Sequence, residues 1–192
     1  MAVIIGVKDL VTAEVNVDSS TALTYKTIEE VPDLVEVSVE DITGDAEIQY
    51  ADDVEKYRVN KTAKMRISIT LLSYSKETEA AFFGHTVNEN GELVKKDSDQ
   101  APYRAFGFKA EDGAGKFDGV WLTKCIPTKR TTGTKTYRTK EGEKITVQTL
   151  TVEFEAIPTV KTGIYLYETN SGLTAMQTKW KTWFDTVPGA TA

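Results

Sequence analysis

The stretch Lys64-Met65-Arg66-Ile67-Ser68-Ile69-Thr70-Leu71 decides the fold class. Met65, Ile67, Ile69 and Leu71 share one parity, while Lys64, Arg66, Ser68 and Thr70 share the other. Successive side chains of a strand point to opposite faces, so this period of two describes a strand with one apolar and one polar face. That is the pattern of an antiparallel sheet with one side on a core. Outward from it, Val35, Val37 and Val39 alternate in the same way with Glu36, Ser38 and Glu40. Residues 103–108, 117–126 and 145–157 read as three further strands, and residues 3–17 and 164–167 as two more. In the run 145–157, Ile145 and Val147 sit on one parity and Leu150, Val152, Phe154 and Ala156 on the other. That change of phase predicts a bulge or bend near Gln148-Thr149.

Turn chemistry separates these runs. Asn90-Gly91 suits a tight hairpin turn, because both residues tolerate positive φ. Asp112-Gly113-Ala114-Gly115 links two strands, and Glu141-Gly142 precedes the run 145–157. Two helices interrupt the pattern. The first spans Lys76–Phe83, with Ser75 as N-cap, Glu77 and Glu79 in the first turn and Gly84 as the stop. Its Ala80, Phe82 and Phe83 are candidates for packing on a sheet. The second spans residues 174–187, where Leu173, Met176, Trp180, Trp183, Phe184 and Val187 form one apolar stripe at helical spacing. Residues 18–33 read as a loop. Residues 41–61 carry Asp45, Glu47, Asp52, Asp53 and Glu55 around Tyr50 and Tyr57, and are long for a strand connection. The fold class is therefore mainly β, an antiparallel sandwich or barrel-like domain with one packed helix and a C-terminal helix. It covers residues 1–192 as a single domain, with 160–192 as a candidate C-terminal extension.

Composition narrows the chemistry. The chain has 192 residues, 40% hydrophobic and 27% charged, with a net charge of −6. A chain of this length buries roughly 70% of its unfolded surface, so metals or disulfides are not needed as staples. A single Cys excludes an internal disulfide, and a single His excludes most zinc and haem sites. The negative balance argues against binding nucleic acid through phosphate neutralisation. No run is long and apolar enough for a spanning helix. The opening Met1-Ala2-Val3-Ile4-Ile5-Gly6-Val7-Lys8 lacks the regions of a signal peptide, so the expectation is synthesis in a cytoplasm.

Charge is also uneven. Residues 1–60 hold fourteen acidic side chains against Lys8, Lys26, Lys56 and Arg58. Residues 124–144 form a basic pole with Lys124, Lys129, Arg130, Lys135, Arg138, Lys140 and Lys144. Such runs are usually solvated surface. They also suit complementary contact between copies, head to tail, which builds rings or filaments.

Motifs for catalysis are missing. His85 follows a helix end and Cys125 sits on an apolar strand, where a structural role is the ordinary one. Asp112-Gly113-Ala114-Gly115-Lys116 lacks the ending of a phosphate-binding loop and opens no helix. Asp45, Asp52 and Asp53 match no calcium-loop spacing. No acid pair is singled out for glycoside hydrolysis.

One block is more specific. It runs from Phe83-Gly84-His85-Thr86-Val87-Asn88-Glu89-Asn90-Gly91-Glu92-Leu93 through Val94-Lys95-Lys96-Asp97 and Asp99-Gln100-Ala101-Pro102-Tyr103 to Phe106-Gly107-Phe108 and Gly119-Val120-Trp121-Leu122. With Gly6-Val7-Lys8-Asp9-Leu10, Tyr50-Ala51-Asp52-Asp53, Gln148-Thr149 and Trp183-Phe184, it resembles the major tail (tail tube) proteins of long-tailed, non-contractile bacteriophages and prophages of Gram-positive hosts. The segment 133–139 departs from that pattern, being richer in Thr and Lys. The resemblance implies a non-enzymatic structural subunit without cofactors, in a virion tail. Copies form hexameric rings whose sheets join into an inner barrel, and the rings stack into a tube. Tape-measure and tail tip or terminator proteins would be partners, and DNA would pass without specific binding. An acidic lumen would repel it. Asp45, Glu47, Asp52, Asp53 and Glu55, with Lys129, Arg130, Lys135, Arg138 and Lys140, are then the candidate ring-stacking contacts. The alternative is a soluble β-sandwich binding module for carbohydrate or protein, with Tyr165, Tyr167, Trp180 and Trp183 as an aromatic platform.

Overall fold

A computed structural model describes residues 4–42, 47–51, 54–59, 64–73, 75–112, 115–132 and 149–191. In chain order the elements are β1 (Ile4–Asp18), β2 (Leu23–Tyr25), β3 (Glu29–Glu30), β4 (Leu34–Ile42), β5 (Glu47–Ala51), β6 (Val54–Val59), β7 (Lys64–Leu71), α1 (Lys76–Phe83), β8 (Thr86–Val87), β9 (Leu93–Val94), β10 (Arg104–Asp112), β11 (Phe117–Thr132), β12 (Leu150–Ala156) and β13 (Leu166–Asn170). The fold is mainly β and antiparallel. Nine strands form one sheet in the order β2-β1-β10-β11-β12-β7-β4, with β3 added beside β1 and β13 beside β11. The long β11 serves two neighbours on its edge away from β10: its first half pairs with β13 and its second with β12.

The period-two reading explains the core. Met65, Ile67, Ile69 and Leu71 of β7 are buried, opposite Ala156, Phe154, Val152 and Leu150 of β12. Phe106, Phe108, Val120 and Leu122 complete this face from β10 and β11. Between Phe106 and Arg104, β10 faces one extra residue on β11, so odd-numbered Cys125 joins the same core as even-numbered Leu122. The sheet curls until β4 packs near β1, closing it towards a barrel. A second, smaller core lies on the reverse face around Val11, Ala13, Ala105, Trp121 and Val187. A Cβ at Gly107 would come within 2.7 Å of the Trp121 ring, so only glycine lets that indole lie flat on β10.

Helix α1 has the bounds and caps expected of it. The Ser75 hydroxyl accepts from the Thr78 amide at 3.1 Å, and Gly84 takes φ 72° with its N–H on the Ala80 carbonyl. Phe82 is buried in edge-on contact with Phe106 and Phe154 at 5.8 and 5.5 Å.

Several expectations need correction. Residues 174–187 form no α-helix: two 3-10 turns, Thr174–Met176 and Trp180–Thr182, stand there instead. Met176, Thr182, Trp183 and Asp185 donate to carbonyls three residues back. Thr174, Thr178, Thr182 and Thr186 recur every four residues, and β-branched side chains weaken helix propensity. The Trp183 carbonyl is also taken by the Trp121 indole at 3.2 Å. The segment 18–33 is not all loop, since β2 and β3 pair with β1. Only Gly91, and not Asn90, takes positive φ in the β8–β9 hairpin; the Asn88 side chain organises the turn by accepting from the Asn90 and Glu92 amides. Val35 is the extra residue of a bulge between Leu34 and Glu36 and is 48% exposed; Val37 is half-buried against the core and Val39 is exposed. The expected phase change at Gln148-Thr149 falls at the border of the described residues; β12 itself keeps one phase.

Candidate assembly surfaces

The acidic segment 41–61 holds a hairpin. β5 and β6 pair with each other from Glu47↔Val59 to Ala51↔Val54, and with no other strand among the described residues. β4 and β7, which flank them in sequence, also pair with each other. Of the acidic candidates, Glu47 stands on β5 and Glu55 on β6, whereas Asp45, Asp52 and Asp53 lie outside the described residues. Val54, at the start of β6, is exposed.

The basic pole is largely committed within the chain where it is described. Lys129 donates to Glu153 at 3.0 Å. Arg130 turns to Glu79 of α1 at 2.8 Å, and Lys95 reaches the other oxygen of Glu79 at 2.7 Å. Glu79 is only 3% exposed, so two cations compensate a carboxylate removed from water. Lys135, Arg138 and Lys140 lie outside the described residues. Of the packing candidates on α1, Phe82 is buried, Phe83 is half-buried against the core and stacked on His85 at 5.9 Å, and Ala80 is half-buried.

His85 lies just past α1, and Cys125 on β11. The His85 Nδ1 meets Asp99 at 2.9 Å. The Lys96 amide, then His85, hold the Asp99 carboxyl below the usual value. Cys125 is fully buried, and burial pushes its thiol up, which makes it a poor nucleophile. No cluster of three His, Cys, Asp or Glu suited to a metal is found among the described residues. No helix among them is long and apolar enough to cross a membrane.

The four aromatics of the candidate platform, Tyr165, Tyr167, Trp180 and Trp183, form no open platform. Tyr165 packs on the main core, and Tyr167 and Trp183 on the smaller one. Trp180 meets Phe184 edge-on at 5.9 Å and covers Gly119.

Two features were not legible in the sequence. One is a buried ion pair between Asp18 and Lys124, 2.7 Å apart and 6% and 12% exposed. Asp18 also accepts from the amides of Val160 and Lys161, fixing the loop between β12 and β13. Burial pushes the Asp18 carboxyl up, but the Lys124 hydrogen bond, the Val160 amide, the Lys124 charge and the Lys161 amide together hold it below 3.8. The other is an apolar cleft of about 640 Å³ at the opposite end of β1, between β4 and β13. Neither has a local motif, because each joins residues more than a hundred positions apart (Asp18 with Lys124, Val7 with Asp118).

The architecture thus defines a mainly β, antiparallel protein with one α-helix among the described residues. No family model matches the sequence, and comparison with curated proteins gives no significant match. Among solved structures, the chain is similar to a component of the sheath–tube complex of an extracellular contractile injection system, PVC, in its extended state. That match has 13% identity and a TM-score of 0.44 over 84% of this chain and 88% of the other. It is similar to a chain of the anti-feeding prophage tube-terminating cap, with 10% identity and a TM-score of 0.43 over 88% and 94%. A chain of the anti-feeding prophage baseplate gives 9% identity and 0.41 over 91% and 99%. At these scores the likenesses are descriptive only.

Proposed function

We propose that the chain is a structural subunit of a phage tail tube, of the long-tailed, non-contractile kind found in phages and prophages of Gram-positive hosts. In this reading copies associate into hexameric rings, the rings stack, and the lumen conducts the genome into the host cell. Tape-measure and tail tip or terminator proteins bound the tube.

The observation that carries the reading is the β5–β6 hairpin. A two-stranded hairpin alone in water is marginal at best. This one pairs with no third strand among the described residues, and it exposes Val54. A neighbouring copy supplies the missing partner. β4, which leads into it, is the end strand of the sheet among the described residues, and an unpaired strand edge is a template for another chain. The polar face of the same strands suits a wet wall: Ser38, Glu40, Arg66, Ser68 and Glu153 line a shallow hollow there.

Negative-stain microscopy of the purified chain tests the reading. Tubes or six-fold rings are expected. Reversing the charges of Asp52 and Asp53 should weaken polymerisation and leave the monomer folded by circular dichroism. Unchanged tubes from that variant would remove this segment from the stacking contact, and a wild-type chain that stays monomeric at all concentrations would overturn the reading.

A further inference from the structure

Resting on that self-assembling reading, we propose that the rigid loop carrying Val160 is a knob that docks into the cleft beside Leu173 on a second copy of this chain. Val160 is the most exposed of the large hydrophobic residues described, at 60%. Its loop is nonetheless built firmly. Its amide donates to Asp18, which is itself held by Lys124. Thr159 is buried, its carbonyl accepts from Gly163, and its hydroxyl meets that of Thr162 at 2.6 Å. A rigid, exposed apolar tip loses little entropy on binding. Ile164 and Tyr103, also exposed, flank it: Tyr103 lies under the Lys124 ammonium at 4.5 Å.

The cleft has the complementary character. Val7, Val39, Phe108 and Leu173 give it apolar walls, and Leu173 is 54% exposed at its mouth. The charged residues lining it are Asp118 and Glu168, both acidic. The knob carries Lys161 beside Val160; within one copy its ammonium donates to the neutral Thr191 hydroxyl at 2.8 Å, and against the two carboxylates of the cleft charge and apolar surface match together. The two surfaces cannot meet within one copy. Val7 and Asp18 stand towards opposite ends of β1, about 36 Å apart at the rise of a fully extended strand. The contact therefore joins different patches on the two partners and repeats from copy to copy.

Variants with one added cysteine test it directly, since the native Cys125 is buried. Val160→Cys and Leu173→Cys, each alone with a short bismaleimide, should give no cross-linked dimer; an equal mixture should. Cross-linking of Val160→Cys with itself, or none in the mixture under conditions where the wild type assembles, would overturn the docking and leave the tube reading standing. A wild type that never assembles would remove both. As a second measure, Lys161→Glu and Glu168→Lys should each raise the critical concentration about tenfold, and the double exchange should restore it, a factor that corresponds to about 1.4 kcal/mol. Restoration failing in the double exchange would also count against the contact.

Discussion

Asp18→Asn isolates the ion pair on which the loop between β12 and β13 is built. The two side chains are nearly isosteric, so packing is kept and the charge is lost. Lys124, 12% exposed, then holds an ammonium beside Tyr103 without its counter-ion. Breaking a buried pair by removing one partner costs about 3–5 kcal/mol. The flexible lysine stem relieves part of that, so about 2–4 kcal/mol is expected here, or roughly 5–15 °C in Tm for a domain of this size. The pH dependence has a definite sign. The folded carboxyl is held below 3.8, its ordinary value. Its contribution is therefore complete above that pH and is lost as pH falls through the folded value. The difference between wild type and variant should be full at pH 7 and shrink only in the acid range. Urea unfolding across pH measures this, and Lys124→Met provides the control. If the cost comes from an orphaned ammonium, adding Lys124→Met to Asp18→Asn should recover most of the loss. Simple addition of the two single losses would refute the argument.

Four further outcomes follow from the packing. Gly107→Ala drives a methyl into the buried Trp121 ring at 2.7 Å and should cost about 2–3 kcal/mol, whereas Gly119→Ala meets Trp180 and Trp183 of the C-terminal segment, which can yield, and should cost about 1 kcal/mol or less; urea midpoints compare the two. Arg104 joins Thr12 at 3.1 Å, the Ala81 carbonyl at 3.3 Å and Glu29 at 2.8 Å, so Arg104→Met should cost about 2 kcal/mol by thermal unfolding, and Arg104→Lys should not rescue it because an ammonium cannot span the three partners. Ser75→Ala removes the N-cap of α1 and should cost about 1 kcal/mol in the same assay. Phe82→Ala empties the space between Phe106 and Phe154 and should cost about 3–5 kcal/mol, read as a lowered urea midpoint.

The strands legible in the sequence are those whose burial alternates, and the missed ones are those that follow another rule. β7 and β12 bury every second residue, so local pattern and three-dimensional environment agree. β3 is two glutamates, both exposed, and forms only because β1 offers a pairing partner at Val11 and Thr12. The stripe at 173–187 shows the opposite failure. Its spacing is helical, but Trp183, Phe184 and Val187 are apolar because they cover Trp121, not because a helix face needs them. Periodicity reports what is buried and leaves open which backbone buries it. The candidate contacts divide in the same way. Charge runs marked residues 41–61 and 124–144, yet Lys129 and Arg130 find partners in Glu153 and Glu79, which no local signal couples to them.

The placement of bulges bears on where an edge of this sheet can accept another chain. At its first end β4 is guarded: Pro32 lacks an amide hydrogen, Asp33 takes φ 61°, and the bulge at Val35 breaks the regular ladder. From Val37 to Ile42 the register against β7 is unbroken, so the other edge of that half, unpaired among the described residues, is regular and can template a partner. That half is also the one that leads into the β5–β6 hairpin. Its carboxylates, Glu40 and Asp41, discourage an identical acidic strand from pairing there, because like charges facing across strands are destabilising. A copy approaching with a different, more basic strand meets no such penalty. In the proposed assembly this asymmetry favours contact between unlike edges over self-pairing of β4, which is the condition for a closed ring of many copies and not a symmetric dimer.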